Sequence, residues 1–217
     1  MTVHDPSALH GRGGDQAARR KGAAAAAGHR GDEAAARRAL SDEDAGVRQA
    51  ALGALVRLGA ATLADLGRAF DDPSAAVRRR VAELAWRTGH PRDDLVALVS
   101  QHLGDEAEVV EAACFCLGEL RPERASEALT NVAQHHRDPL CRESAVAALG
   151  AIGDPESLPV ILAALDDRPQ IRRRAVLALA SYEGQEVDAA LAEALSDRDW
   201  QVRQAAEDLT DERASDG

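Results

Sequence analysis

Aromatic side chains are scarce in this chain of 217 residues: they make up 2% of it, although hydrophobic residues as a whole make up 45%. A core must therefore be built from Ala, Leu and Val, whose small side chains favour close helix–helix packing. No apolar run approaches the ~20 residues of a transmembrane helix. The start, MTVHDPSALHGRGG, lacks the basic and apolar segments of a secretory signal. These absences predict a cytoplasmic protein.

Basic residues are outnumbered, with 26 Lys and Arg against 37 Asp and Glu, for a formal charge of −11. A field of this sign repels phosphate backbones and anionic lipid surfaces, which disfavours nucleic acid and membranes as partners. Three cysteines give no disulfide framework. Cys114 and Cys116 would point ~200° apart on one helix, and Cys116 and Cys141 fall on core positions of the repeat described next. We therefore predict no metal site and no cofactor.

One helical pattern recurs at a nearly fixed period. In VRQAALGALVRLGA, which begins at Val47, the apolar residues lie at offsets 0, 4, 7, 8 and 11, which is one face of an α-helix. Further copies begin at positions 77, 109, 141, 171 and 202, and a shorter apolar-periodic segment lies between successive copies. We name the shorter helix of each pair the A helix and the helix with this pattern the B helix. A period near 31 residues with two helices per unit predicts an all-α, right-handed α-solenoid of about six helix pairs.

The same pattern sets the expected boundaries. The repeat domain is predicted to span 15–210, with an N-terminal cap helix at 15–31 and disordered tails at 1–14 and 211–217. The repeats are placed at about 32–60, 61–90, 91–121, 122–153, 154–184 and 185–210.

Charged residues recur with the B helices. An Asp lies just before each copy, and an Arg follows the first apolar residue in five of the six copies, the third having Val110 instead. This Arg flanks the buried stripe and projects toward a neighbouring repeat. We predict a structural Asp–Arg ladder between repeats, made by Asp42, Arg48, Asp72, Arg78, Asp138, Arg142, Asp167, Arg172, Asp197 and Arg203.

An Asp, then Val-Arg, Ala and Ala-Leu, followed by Gly-Asp-Pro and a Pro-containing A helix, resembles the HEAT repeat. The pattern is most similar to the short HEAT-like repeats named after phycobilisome lyases. Residues 138–182 match best, and the resemblance covers about 32–210. It implies the fold more than the function, because scaffolds, lyases, hydroxylases and DNA-repair enzymes share it. The two-iron hydroxylases of this kind carry repeated His-Glu pairs, and since the chain has no His-Glu dipeptide we do not expect that activity.

A candidate binding surface lies opposite the buried stripe, at offsets 2, 6 and 9 of the B helices, which line the concave side of HEAT-like stacks. Trp86 and Phe115 fall on it as apolar anchors, next to the small residues Gly118 and Gly150. Exposed aromatics beside small residues with a charged rim are typical of a peptide-binding groove. The pattern leaves open whether Trp86 faces the groove or packs between helices, and Trp200 is interpreted as a cover for the end of the core. The candidate site residues are Arg79, Glu83, Trp86, Glu111, Phe115, Glu143, Arg173 and Leu177.

The sequence contains no visible catalytic constellation. We therefore predict a non-catalytic scaffold that binds another protein or a peptide segment on its concave face. The alternative, implied by the resemblance, is a bilin or tetrapyrrole lyase-like enzyme or enzyme subunit. A DNA-binding or repair protein is the weaker alternative.

Overall fold

The computed structural model describes the backbone of residues 7–216 and the side chains of residues 14–215. The chain divides between His90 and Pro91 into two compact units, unit 1 and unit 2. Every regular element in the described part is helical, and no strand occurs there. None of the described helices combines the length and apolar character needed to cross a membrane.

The described part of unit 1 contains five α-helices, and a short 3-10 turn at Trp86–Thr88 follows the last. Helices α3 and α5 carry the B pattern, and α2 and α4 are A helices. The first helix runs from Ser7 to Arg30, so it includes residues 7–14 of the predicted tail and all but the last residue of the predicted cap at 15–31. Residues 1–6 of that tail lie outside the described part. The helices are α1 (Ser7–Arg30), α2 (Glu33–Ala39), α3 (Ala45–Arg57), α4 (Leu63–Phe70) and α5 (Ala75–Ala85).

Over residues 91–216, unit 2 has eight α-helices, in which A and B helices alternate. The last B helix continues to Asp216 and so includes most of the predicted tail at 211–217, whose final residue, Gly217, lies outside the described part. The helices are α6 (Arg92–Ser100), α7 (Ala107–Leu120), α8 (Ser126–His135), α9 (Pro139–Ile152), α10 (Leu158–Ala163), α11 (Pro169–Ala178), α12 (Gln185–Ala194) and α13 (Trp200–Asp216).

The buried stripe explains why these helices stack. In α9, the residues at offsets 0, 4, 7 and 8 are all buried, and they are Cys141, Ala145, Ala148 and Leu149. Such small side chains let neighbouring B helices approach closely. A Cβ on Gly150 would lie 2.5 Å from the Cβ of Ala178 on α11. Packing therefore requires glycine at this position, which lies against α11 and not at the bottom of an open groove.

At the starts of some α-helices, side chains accept the free N–H groups of the first turn. Asp44 caps α3 and Asp138 caps α9. Thr62 and Asp65 form a reciprocal capping box at the start of α4. Asp42 lies two residues before the cap of α3 and accepts the backbone N–H of Asp44 at 3.0 Å.

Candidate functional site

Bidentate pairs join successive repeats within each unit. The Nε and Nη2 atoms of Arg48 each donate to the carboxylate of Asp72 at 2.7 Å. Arg142 reaches Asp167 in the same way, at 2.8 Å through both nitrogens. The third nitrogen of each arginine donates to a backbone carbonyl before its own helix, as Arg48 does to Asp42. Each arginine thus ties its own B helix to the turn that precedes the next one.

The arginines lower the pKa of the carboxylates they bind. For Asp167 and Asp197 the main cause is the hydrogen bonding from Arg142 and Arg172, respectively. Burial acts to raise the pKa of Asp72, but hydrogen bonding from Arg48 outweighs it and the net pKa is lowered. These carboxylates are therefore held in the charged form, which suits a structural role.

The first and last ladder residues of each unit make contacts other than the pairs described above. Arg20 of α1 donates to Asp42 at 2.8 and 3.1 Å, so the cap helix supplies a first rung that our sequence analysis missed. The signal was present, since Arg20 precedes its Asp by 22 residues and Arg48 precedes Asp72 by 24. In unit 2, Asp138 accepts the N–H of Leu140. Arg78 and Arg203 each donate at 2.7 Å to the carbonyl of the preceding ladder Asp, Asp72 and Asp197.

The inner face of unit 2, which is the side of its B helices opposite the buried stripe, carries exposed apolar side chains. Phe115 is 52% exposed and borders a cleft of about 280 Å³ between α7 and α9. Ala147 and Glu143 also line this cleft, and the Nη2 atom of Arg174 lies 3.4 Å from the Glu143 carboxylate. The cleft therefore offers an apolar wall beside a weakly paired set of charges.

A second cleft of about 130 Å³ lies further along the same face, between α11 and α13. It is lined by Arg173 and Leu177 of α11 and by Trp200 and Asp208 of α13. Leu177 is 39% exposed and Trp200 is 64% exposed. The prediction that Trp200 covers the end of the core is therefore wrong. Trp200 is the first residue of α13, and its ring lies at the surface beside Leu177.

In unit 1 the candidate residues form a more closely paired cluster. Arg79 and Arg80 both bind Glu83 at 2.9 Å. Trp86 is half-buried, and the guanidinium carbon of Arg87 lies 4.7 Å from its ring centroid. Helix α5 ends at Ala85, and Trp86 is the first residue of the 3-10 turn that follows it.

Burial holds the thiols of Cys114 and Cys141 in their neutral form. All three cysteines are buried, and burial raises the pKa of Cys141 to about 11 and that of Cys114 further. The thiol of Cys141 donates to the carbonyl of Ala107 at 3.2 Å. Among the described residues, no group of three or more His, Cys, Asp or Glu is placed to hold a metal ion.

Curated relatives of this chain are enzymes. It is 33% identical to deoxyhypusine hydroxylase of Homo sapiens over 98 residues, which are 44% of this chain and 32% of the relative. It is 50% identical to deoxyhypusine hydroxylase of Gallus gallus over 48 residues, which are 22% of this chain and 16% of the relative. The chain thus spans about a third or less of the length of these relatives.

These relatives contradict the prediction of a non-catalytic scaffold, and with it the prediction that the chain is not an enzyme. They are closer to the alternative, a bilin or tetrapyrrole lyase-like enzyme or enzyme subunit, in that they are enzymes, although they are named as hydroxylases and not as lyases. The prediction was wrong because it was inferred from the absence of a recognisable set of catalytic side chains in the sequence. A chain can belong to an enzyme without carrying the reacting groups itself.

Solved structures and a family model agree on the fold. The complex of CpcE and CpcF of phycocyanin lyase from Nostoc sp. PCC7120 has a TM-score of 0.60 at 23% identity and covers 80% of this chain and 74% of that chain. A designed armadillo repeat protein in complex with the peptide (KR)4 has a TM-score of 0.58 at 15% identity and covers 81% and 96%. These likenesses confirm an all-α solenoid. The model of HEAT repeats matches residues 64–148, 93–175 and 134–209, which is more than half of the chain. The chain therefore belongs to the HEAT repeat family.

Proposed function

We propose that this chain is an enzyme or enzyme subunit that binds an apolar segment of a protein substrate on the inner face of unit 2. One observation carries the proposal: Phe115, Leu177 and Trp200, on α7, α11 and α13, leave large apolar surfaces exposed on one face. Exposed apolar groups of this size commonly mark a binding surface. The enzyme relatives supply the class of function.

The inner face combines anchors with orienting charges. A buried aromatic anchor contributes about 2 kcal/mol or more to binding. Around the anchors, Arg173 and Asp208 line one cleft and Glu143 the other. Charges of both signs at the rim would fix the direction of a bound segment.

The iron centre implied by a resemblance to hydroxylases does not fit the described residues. No His-Glu dipeptide occurs in the chain, and no group of three or more ligand-type side chains is placed together in the described part. We therefore assign substrate binding to this chain and assign no catalytic metal to its described residues.

The test is to purify the tagged full-length chain from its native cells together with its associated proteins and to measure turnover of the captured assembly. Leu177→Ala and Trp200→Ala are expected to raise KM about tenfold with little change in kcat, because they remove binding and no reacting group. Leu195→Ala is the matched control. Leu195 is 38% exposed, against 39% for Leu177, but lies at the end of the A helix α12.

Two results would overturn the proposal. The first is a captured assembly whose turnover is the same with and without this chain. The second is an equal rise in KM for Leu177→Ala and Leu195→Ala, which would show that the inner face has no special role. Circular dichroism of each variant establishes that the helices are intact.

A further inference from the structure

A separate groove lies in the A-helix layer of unit 2, between α10 and α12. Its volume is about 640 Å³. Apolar residues make up its floor and walls: Leu162, Leu165, Ala189, Ala190, Ala194 and Val202. None of these is among the inner-face residues discussed above.

The sequence explains why this groove is open. Helix α10 has only six residues and passes into a 3-10 turn at Ala164–Asp166. The groove-lining side of α12 carries the methyl groups of Ala189 and Ala190, where larger side chains would fill the space. The neighbouring A helices therefore leave an apolar channel between them.

The rim of the groove is acidic. Asp166, Glu186 and Glu193 line it and are exposed, and Asp197 lies at its edge, bound to Arg172. No basic side chain is among the described residues that line the groove. The formal charge of −11 on the whole chain adds to the local negative potential.

We propose that this groove binds a cationic amphipathic helix of a partner protein. An apolar floor flanked by carboxylates complements a helix with Leu-sized side chains at i, i+3 or i+4 and i+7 and with Lys or Arg beside them. The ten residues of α12 extend about 15 Å, which is long enough to face nearly three turns of such a helix. A second copy of this chain is a poor occupant because it has the same negative charge.

The test measures binding of a fluorescent synthetic peptide of about four turns, with Leu and Lys in amphipathic order, to the full chain by anisotropy. The same residues in scrambled order form the peptide control. Glu186→Gln with Glu193→Gln is expected to weaken binding about fivefold at low salt. Glu123→Gln with Glu127→Gln, two exposed carboxylates near the start of α8, removes the same charge elsewhere and is expected to change affinity less than about twofold.

A second variant tests the apolar floor without changing charge. Ala190→Phe places a ring in the groove and is expected to weaken binding about tenfold while the urea midpoint is retained. Trp200→Ala, which disables the inner face, is expected to leave peptide binding unchanged, so the two surfaces are distinguishable. The proposal is overturned if the scrambled peptide binds as tightly, if both carboxylate pairs lose affinity equally, or if no saturable binding occurs.

Discussion

Replacing Arg172 with methionine tests whether the ladder holds the repeats together. The Nε and Nη2 atoms of Arg172 donate to the Asp197 carboxylate at 2.8 and 2.7 Å, and Nη1 donates to the carbonyl of Asp167 at 2.9 Å. The Arg172 side chain is 5% exposed and that of Asp197 is 15% exposed. Methionine retains an apolar stem in the same space but makes none of these bonds.

The expected loss of stability follows from the charge that is left behind. Removing one partner of a buried ion pair costs about 3–5 kcal/mol because the other charge stays desolvated. The partial exposure of Asp197 lets water replace some of the lost bonds, so we expect Arg172→Met to lower the free energy of unfolding by about 2–4 kcal/mol. Arg203→Met is the matched control. Arg203 makes one 2.7 Å bond to the Asp197 carbonyl, and its loss should cost about 1 kcal/mol.

The assay is urea unfolding followed by circular dichroism, with hydrogen exchange to locate the opening. Faster exchange in α11 and α13 is expected for Arg172→Met, since the bond network joins α11 to the turn before α13. Combining Arg172→Met with Asp197→Asn should cost less than the sum of the single changes, because the unpaired carboxylate is removed. Equal destabilisation by Arg172→Met and Arg203→Met, within about 0.5 kcal/mol, would refute the reasoning.

Three further predictions use other features. Gly150→Ala should destabilise the chain by about 1–3 kcal/mol because its Cβ meets Ala178, whereas Gly67→Ala, which meets no atom within 4 Å, should stabilise it by up to about 1 kcal/mol in the same urea assay. Burial acts to raise the pKa of Asp65, but hydrogen bonds to it prevail and hold its pKa at about 2. Its contribution to stability is therefore full above about pH 4 and is lost as pH falls toward 2, so the urea midpoint of Asp65→Asn should depend less on pH in this range. The three buried cysteines should react with a thiol reagent only after unfolding, and fast labelling of the folded chain would contradict this.

The sequence predicted the B helices well because their periodicity is imposed by burial. Each of the six begins two residues before the first apolar residue of its repeat, as α3 begins at Ala45 before Val47 and α9 at Pro139 before Cys141. Segments without that stripe were harder to predict. Residues 7–14 contain little large apolar surface, so nothing in the pattern indicated that the helix α1 begins at Ser7.

The sequence pattern placed a candidate side chain on the inner face only where that residue lies inside a regular helix. Phe115 and Leu177, at offset 6 of α7 and α11, are exposed on the inner face. Trp86 was extrapolated to offset 9 of a helix that ends one residue earlier, at Ala85. Trp200 lies two residues before the first apolar residue of its repeat, and the sequence pattern did not show that the helix already begins there. Helix boundaries, which depend on local capping, are the information that the period does not contain.

Stacking and function use different residues in this fold, which limits what the enzyme relatives can transfer. Offsets 0, 4, 7 and 8 are buried where repeats stack, and the ladder Arg recurs in five of the six B helices, so these are positions that HEAT-repeat proteins have reason to share. Phe115, Leu177 and Trp200 lie outside this set, and stacking gives no reason for their exposed apolar surface. Identity of 33% over 98 residues therefore supports common repeats more strongly than a common reaction. What this chain binds has to be decided at the exposed positions, by the KM of inner-face variants and by the peptide affinity of the α10–α12 groove.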